Sequence, residues 1–136
     1  VQSIHLSQNG LEGDVPSSIF ELKNLEELVL DKNDISINLS NIGSDPKLQY
    51  LNLDSTGLSS LDGIEAASQL TLLHAMDNEF TFFPEEIFQL ENLQVLFLSS
   101  NNLGPELPSG LQALSNLVFF ACSDCGLSGG IPEWID

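Results

Sequence analysis

The residues with chemistry to offer are few. Two cysteines stand as Cys122-x-x-Cys125, two histidines as His5 and His74, and one Asn-x-Ser triplet as Asn38-Leu39-Ser40. A C-x-x-C pair suits thiol exchange when it opens a helix in a βαβ unit, and that setting is missing around FFACSDCGLSGGIP (119–132). A zinc site needs four ligands, and neither histidine is near in register. Two readings remain. The cysteines are either small buried hydrophobes, the reading adopted here, or a local disulfide, which needs Cα atoms within roughly 7 Å. No nucleophile–base–orienter set and no glycine-rich phosphate cradle occurs, so a non-catalytic protein with no cofactor is expected.

Charge excludes further classes. Twenty acidic residues face three lysines (Lys23, Lys32, Lys47) and no arginine, a net charge of −17. Nucleic acids and anionic membranes are bound by Lys and Arg meeting phosphates, so both are unexpected partners. Cationic partners and divalent ions are compatible with this balance. The 136 residues amount to one domain, with no apolar run long enough to cross a bilayer.

What positions these residues is a repeat. VQSIHLSQNGL (1–11), LEELVLDKNDI (25–35), LQYLNLDSTGL (48–58), LTLLHAMDNEF (70–80), LQVLFLSSNNL (93–103) and LVFFACSDCGL (117–127) share the form L-x-x-L-x-L-x-x-N-x-L. They begin at 1, 25, 48, 70, 93 and 117. Positions four and six (Leu28/Leu30, Leu51/Leu53, Leu96/Leu98 and their counterparts) alternate with variable residues, which marks a short strand with one buried face. One such strand cannot bury its face alone and must stack on its neighbours. Position nine reads Asn9, Asn33, Thr56, Asn78, Asn101, Cys125. An inward Asn there can pair backbone groups of adjacent turns; Thr56 does part of this and Cys125 little.

On these motifs the chain resembles the leucine-rich repeat family over its whole length. The resemblance implies an α/β solenoid: a horseshoe segment of about six repeats, a parallel concave sheet, and short helical, 3₁₀ or irregular convex returns. It also implies one domain over 1–136, and tolerance of Cys at the ladder position. LEGDVPSSIFELKNL (11–25), LGPELPSGLQALSNL (103–117) and LSGGIPEWI (127–135) resemble the plant-type L-x-G-x-I-P variant, while the middle repeats do not. That variant implies a second small sheet at Val15, Leu107 and Ile131, with short helical turns over 17–22 and 109–114. Solenoid ends need polar caps and none is legible, so the chain is expected to be part of a longer one whose remainder it contacts.

Strand alternation sends positions three, five, seven and eight to the concave face, with adjacent strands about 4.8 Å apart. An apolar neighbourhood then emerges from Tyr50, Leu72, Met76, Val95, Phe97 and Phe119. Contiguous exposed apolar surface and aromatic side chains mark interaction sites. An acidic neighbourhood emerges from Glu27, Asp31 and Asp54. Asp31 and Asp54 share a column, so their carboxylates are expected to approach closely, as a weak divalent-cation candidate or a counterpart to a partner's Lys or Arg. His5 and His74 lie three strands apart, roughly 14 Å, and read as surface residues.

The function implied by the resemblance is recognition: a receptor-like or adaptor module that takes a protein or peptide on its concave face. The alternative is an accessory subunit whose patch is permanently buried in an assembly. The plant-type repeats and Asn38 favour an extracellular or cell-surface location, and two unpaired cysteines would favour an intracellular or organellar one.

Overall fold

Each repeat begins with a three-residue strand, and the strands line up in chain order. Our computed structural model describes residues 1–44 and 46–135, leaving Asp45 and Asp136 outside. Strands β1 (Ser3–His5), β3 (Glu27–Val29), β5 (Tyr50–Asn52), β6 (Leu72–His74), β7 (Val95–Phe97) and β8 (Phe119–Ala121) form a six-stranded parallel sheet in the order β1-β3-β5-β6-β7-β8. Its register keeps equivalent repeat positions adjacent: Glu27 beside Tyr50, Tyr50 beside Leu72, Leu72 beside Val95, Val95 beside Phe119. The chain is a leucine-rich solenoid segment.

Burial follows the number of neighbours each repeat has. Leu28, Leu51, Leu73 and Leu96, at position four of the inner repeats, are fully buried. Ile4 and Phe120, at the same position in the outer repeats, are only partly buried, and Leu6 is 42% exposed. An inner leucine held this way stabilises the fold by about 2 kcal/mol, which an isolated repeat forfeits.

Position eight turns the chain inward. Gln8, Lys32, Ser55, Asp77, Ser100 and Asp124 all take left-handed backbone, with φ between 53° and 59°. Each such non-glycine residue costs roughly 1–2 kcal/mol, and its recurrence shows what the turn achieves. It delivers position nine into the core as a polar ladder. Asn33 donates through Nδ2 to the carbonyls of Leu6 (2.8 Å) and Leu30 (3.0 Å), and its Oδ1 accepts from the backbone N–H groups of Asn9 and Leu11. Asn101 donates likewise to Ala75 O and Leu98 O, both at 2.9 Å, and accepts from Phe80 N. Thr56 is too short for this. Its hydroxyl reaches Leu53 O, within its own repeat, at 2.7 Å.

The returns close the core from the other side. They are 3₁₀ turns at Ser17–Glu21, Leu39–Asn41, Ile64–Ala66, Glu85–Gln89 and Ser109–Ala113, contributing the buried Leu39, Ile64, Ile87 and Leu111. Pro16, Pro84 and Pro108 each precede one, where a missing N–H costs nothing. Backbone hydrogen bonds join neighbouring returns: Asp34 N to Leu11 O, Glu79 N to Leu58 O, Asn102 N to Phe80 O and Ser128 N to Pro105 O. Among the described residues, neither such a return bond nor a ladder side chain links repeat three to repeat two. There the contact is close packing instead. A Cβ on Gly63 (φ 96°) would stand 2.5 Å from the backbone N of Ser40.

Two expectations need correction. The second sheet is formed by β2 (Glu12–Asp14) and β4 (Asp34–Ser36) of repeats one and two. Val15, Leu107 and Ile131 lie outside strands, although Val15 N extends the pairing by donating to Ser36 O. At Gly104 the backbones approach too closely for a side chain, since a Cβ would overlap Gly126 O. The cysteines are also paired: Cys122 and Cys125 form a disulfide with their Cα atoms 5.6 Å apart. Positions six and nine both point inward, and the left-handed turn at Asp124 folds one back toward the other. Oxidised sulfur has no proton to donate, so Cys125 Sγ, 3.5 Å from Leu98 O, ends the ladder without continuing it.

Candidate binding face

The concave face is built from the residues that alternate with the buried leucines. The register places Glu27, Tyr50, Leu72, Val95 and Phe119 in one row across β3, β5, β6, β7 and β8. A second row holds Val29, Asn52, His74, Phe97 and Ala121. The structure therefore brings together Tyr50, Leu72, Val95, Phe97 and Phe119, with Met76 beyond the end of β6. Phe119 is half exposed and the others are partly buried.

A continuous run of rings crosses these rows. Tyr50 and His74 have ring centroids 5.7 Å apart, His74 and Phe97 4.3 Å, and Phe97 and Phe119 5.0 Å. All three contacts are tilted, with interplanar angles of 56°, 31° and 39°. His74 is the member that spacing does not reveal. Alternation alone puts it on the surface, but its side chain is only 20% exposed and joins Tyr50 to Phe97. The available signal is its place in the second row, diagonal to Tyr50 and beside Phe97.

Asp54 fixes that histidine. Its Oδ1 accepts from the Met76 backbone N–H at 2.6 Å, and its Oδ2 lies 3.3 Å from His74 Nδ1. Its residue exposure is only 9%. Asn52 adds to the site from below, accepting the Asp54 N–H at Oδ1. Asp54 thus faces β6, while Asp31 faces β1 and accepts from the Ser7 hydroxyl at 2.5 Å. The hydrogen bonds of these two carboxylates run in opposite directions along the sheet. Each carboxylate finds its donor on its outer neighbour, so neither depends on the other for a partner. Among the described residues, no group of three His, Cys, Asp or Glu side chains is placed to hold a metal ion. Glu27 pairs with His5, Oε2 to Nε2, at 2.8 Å on an exposed surface.

The larger hollows lie elsewhere. Two, of about 790 and 590 Å³, flank Trp134 and Leu107 at the C-terminal return. Leu111, Leu114 and Leu117 line one of them; the first two belong to the buried core and Leu117 packs against it. These hollows mark the open side of the last described repeat. Neither of these two hollows is lined by Tyr50, Leu72, Met76, Val95 or Phe97.

Comparison with known proteins agrees with this architecture. The Leucine Rich Repeat family pattern matches residues 92–114. Receptor-like protein 35 of Arabidopsis thaliana is 37% identical over 97% of this chain and 13% of its own length. The LRR ectodomain of the plant membrane receptor kinase GASSHO1/SCHENGEN3 from Arabidopsis thaliana, in complex with CASPARIAN STRIP INTEGRITY FACTOR 2, superposes with a TM-score of 0.80. It shares 34% identity and covers 97% of this chain and 16% of its own. The plant peptide hormone receptor RGFR1 in complex with RGF2 gives 0.75 at 32% identity, over 93% and 21%. The chain belongs to the leucine-rich repeat family, whose fold serves interaction between proteins. It spans 11–17% of the length of the curated relatives it matches.

Proposed function

We propose that this chain is a non-catalytic recognition module that lays a peptide segment of a partner across its concave face, as part of an extracellular or cell-surface receptor. The observation that carries this reading is the run Tyr50–His74–Phe97–Phe119. Its rings stand at sheet positions that face away from the core, so core packing does not account for them. Four of them in contact offer rigid aromatic area at low entropic cost, and Tyr and Phe are enriched in protein interfaces. Asp54, held by Met76 N and facing His74, keeps the ring of the half-buried member in place. Glu27 and Asp31 add negative charge beside the Tyr50 end of the run and suit a partner with Lys or Arg there. The likeness to receptor ectodomains, one of them a peptide hormone receptor, supports both the peptide class of ligand and the location.

The test is a random peptide display library panned against the immobilised chain. Enriched peptides are then measured against Tyr50→Ala, Phe97→Ala and Phe82→Ala. Phe82 is 64% exposed on the return side and serves as an apolar control. Loss of Phe97 is expected to weaken binding about 30-fold, equivalent to a hot spot of about 2 kcal/mol, with Phe82→Ala unchanged. Enrichment of no peptide, or binding indifferent to both concave substitutions, overturns the reading.

A further inference from the structure

We propose that Asn38 is an acceptor for an N-linked glycan, and that the glycan covers the flank of the solenoid while leaving its concave face open. Asn38-Leu39-Ser40 is the chain's single Asn-x-Ser/Thr triplet, and its middle residue is not proline. Asn38 and Ser40 are exposed, whereas Leu39 between them is buried at 2%. The core thus holds the segment by its middle residue and leaves the two reactive side chains in solvent.

The geometry separates a glycan acceptor from a capping residue. Asn38 precedes the 3₁₀ turn Leu39–Asn41, and its Oδ1 accepts from Ser40 N at 3.0 Å. The donor is a backbone N–H, so the anchored end of the carboxamide must be the oxygen. Nδ2, the atom that would carry the sugar, makes no hydrogen bond to another described residue. Capping explains an Asn at position 38, but it uses only the backbone of Ser40. The Ser40 hydroxyl makes no hydrogen bond among the described residues, so neither the cap nor the core calls for a hydroxyl there. The triplet does.

The reaction is a substitution. Nδ2 attacks the anomeric carbon of an oligosaccharide carried on a lipid diphosphate. A C–N bond forms, the C–O bond to the diphosphate breaks, Nδ2 gives up one proton, and the lipid diphosphate leaves with the electron pair. The carboxamide oxygen is untouched, so the hydrogen bond to Ser40 N survives in the product.

Position gives the consequence. Asn38 follows β4, the second strand of the small flank sheet, and the turn it caps packs beside the turn at Ile64–Ala66. None of these elements belongs to the six-stranded sheet. A glycan here makes the flank beside β2 and β4 unavailable to close protein contact, and leaves the Tyr50–Phe119 run accessible.

The experiment is secretion of the whole 136-residue chain from cultured eukaryotic cells, followed by intact and peptide mass measurement before and after a peptide N-glycosidase. The expected result is a heterogeneous glycoform population as the major species. The enzyme should collapse it to one mass, with the glycan-bearing asparagine converted to aspartate at position 38. Asn38→Gln and Ser40→Ala should each give the single unmodified mass, and Ser40→Thr should keep the glycan. Secreted wild-type chain with bare Asn38 overturns the proposal, and so does glycan mass that persists in Asn38→Gln. If Asn38→Gln is not secreted, the wild-type peptide masses and Ser40→Ala decide alone.

Discussion

Asn101→Ala should be among the most damaging single changes in this chain, although Asn101 touches no ligand surface. The side chain is 6% exposed and satisfies two repeats at once. It donates to Ala75 O and Leu98 O and accepts from Phe80 N. Truncation strips a partner from three buried backbone groups, and each such loss costs about 1–3 kcal/mol. Water reaching the small cavity recovers part of this, so the expected total is about 3–5 kcal/mol. Asn9 supplies the control. It occupies the same repeat position in an exposed repeat, and its Nδ2 reaches only Ser7 O, at 3.2 Å. Asn9→Ala should therefore cost well under about 1 kcal/mol. Urea denaturation followed by circular dichroism measures both, with the slope checked for two-state behaviour before the midpoints are compared. Equal effects for the two substitutions, or a loss below about 1 kcal/mol for Asn101→Ala, would refute the view that the ladder holds the repeats together.

Three further outcomes follow from the backbone and the disulfide. Ser100→Val puts a β-branched residue at φ 59° and should cost about 1–3 kcal/mol, while Ser100→Gly should be neutral or better; thermal unfolding of the pair reads the difference. Gly63→Ala forces a methyl against the Ser40 backbone at a positive φ, and an early loss of about 2–3 kcal/mol in chemical denaturation is expected. Reducing Cys122–Cys125 opens a loop with a sequence separation of only 3 residues, so the entropic loss is at most about 2 kcal/mol. The freed Cys125 thiol regains a weak donor toward Leu98 O, and unfolding with and without reductant should show a small shift.

The concave architecture was legible because its cause is local. A period-two alternation of Leu with variable residues sets which side chains face out, and the fixed repeat length sets which of them become neighbours. Spacing alone puts Tyr50, Leu72, Val95 and Phe119 in one row. Features that depend on return geometry were not legible. Glu12-Gly13-Asp14 has no apolar alternation, yet it pairs with Asp34–Ser36 because two adjacent returns run side by side. His74 read as a surface residue because spacing does not show that the rings of Tyr50 and Phe97 lean onto it. Asp54 could be assigned to a column but not to a direction, since the column does not show that its donors, Met76 N and His74, lie on the β6 side. The disulfide escaped for a similar reason: C-x-x-C spacing allows two inward side chains to meet but does not require it.

The missing rung at Thr56 divides the molecule mechanically. Strand pairing and leucine packing still cross from repeat two to repeat three, but among the described residues neither a return bond nor a ladder side chain does, as each does between repeats three and four. A solenoid's cooperativity is no greater than that of its weakest junction. Under thermal fluctuation or tension this chain should part first between Asn33 and Thr56, with repeats one and two peeling away together under their own flank sheet. Amide exchange would register this as faster opening over residues 1–44 than over 70–101. The crack line also separates two kinds of surface. Glu27 and Asp31 leave with the first piece, while Tyr50, His74, Phe97 and Phe119 stay on the second. Peeling would remove the negative charge from beside the rings without disturbing them.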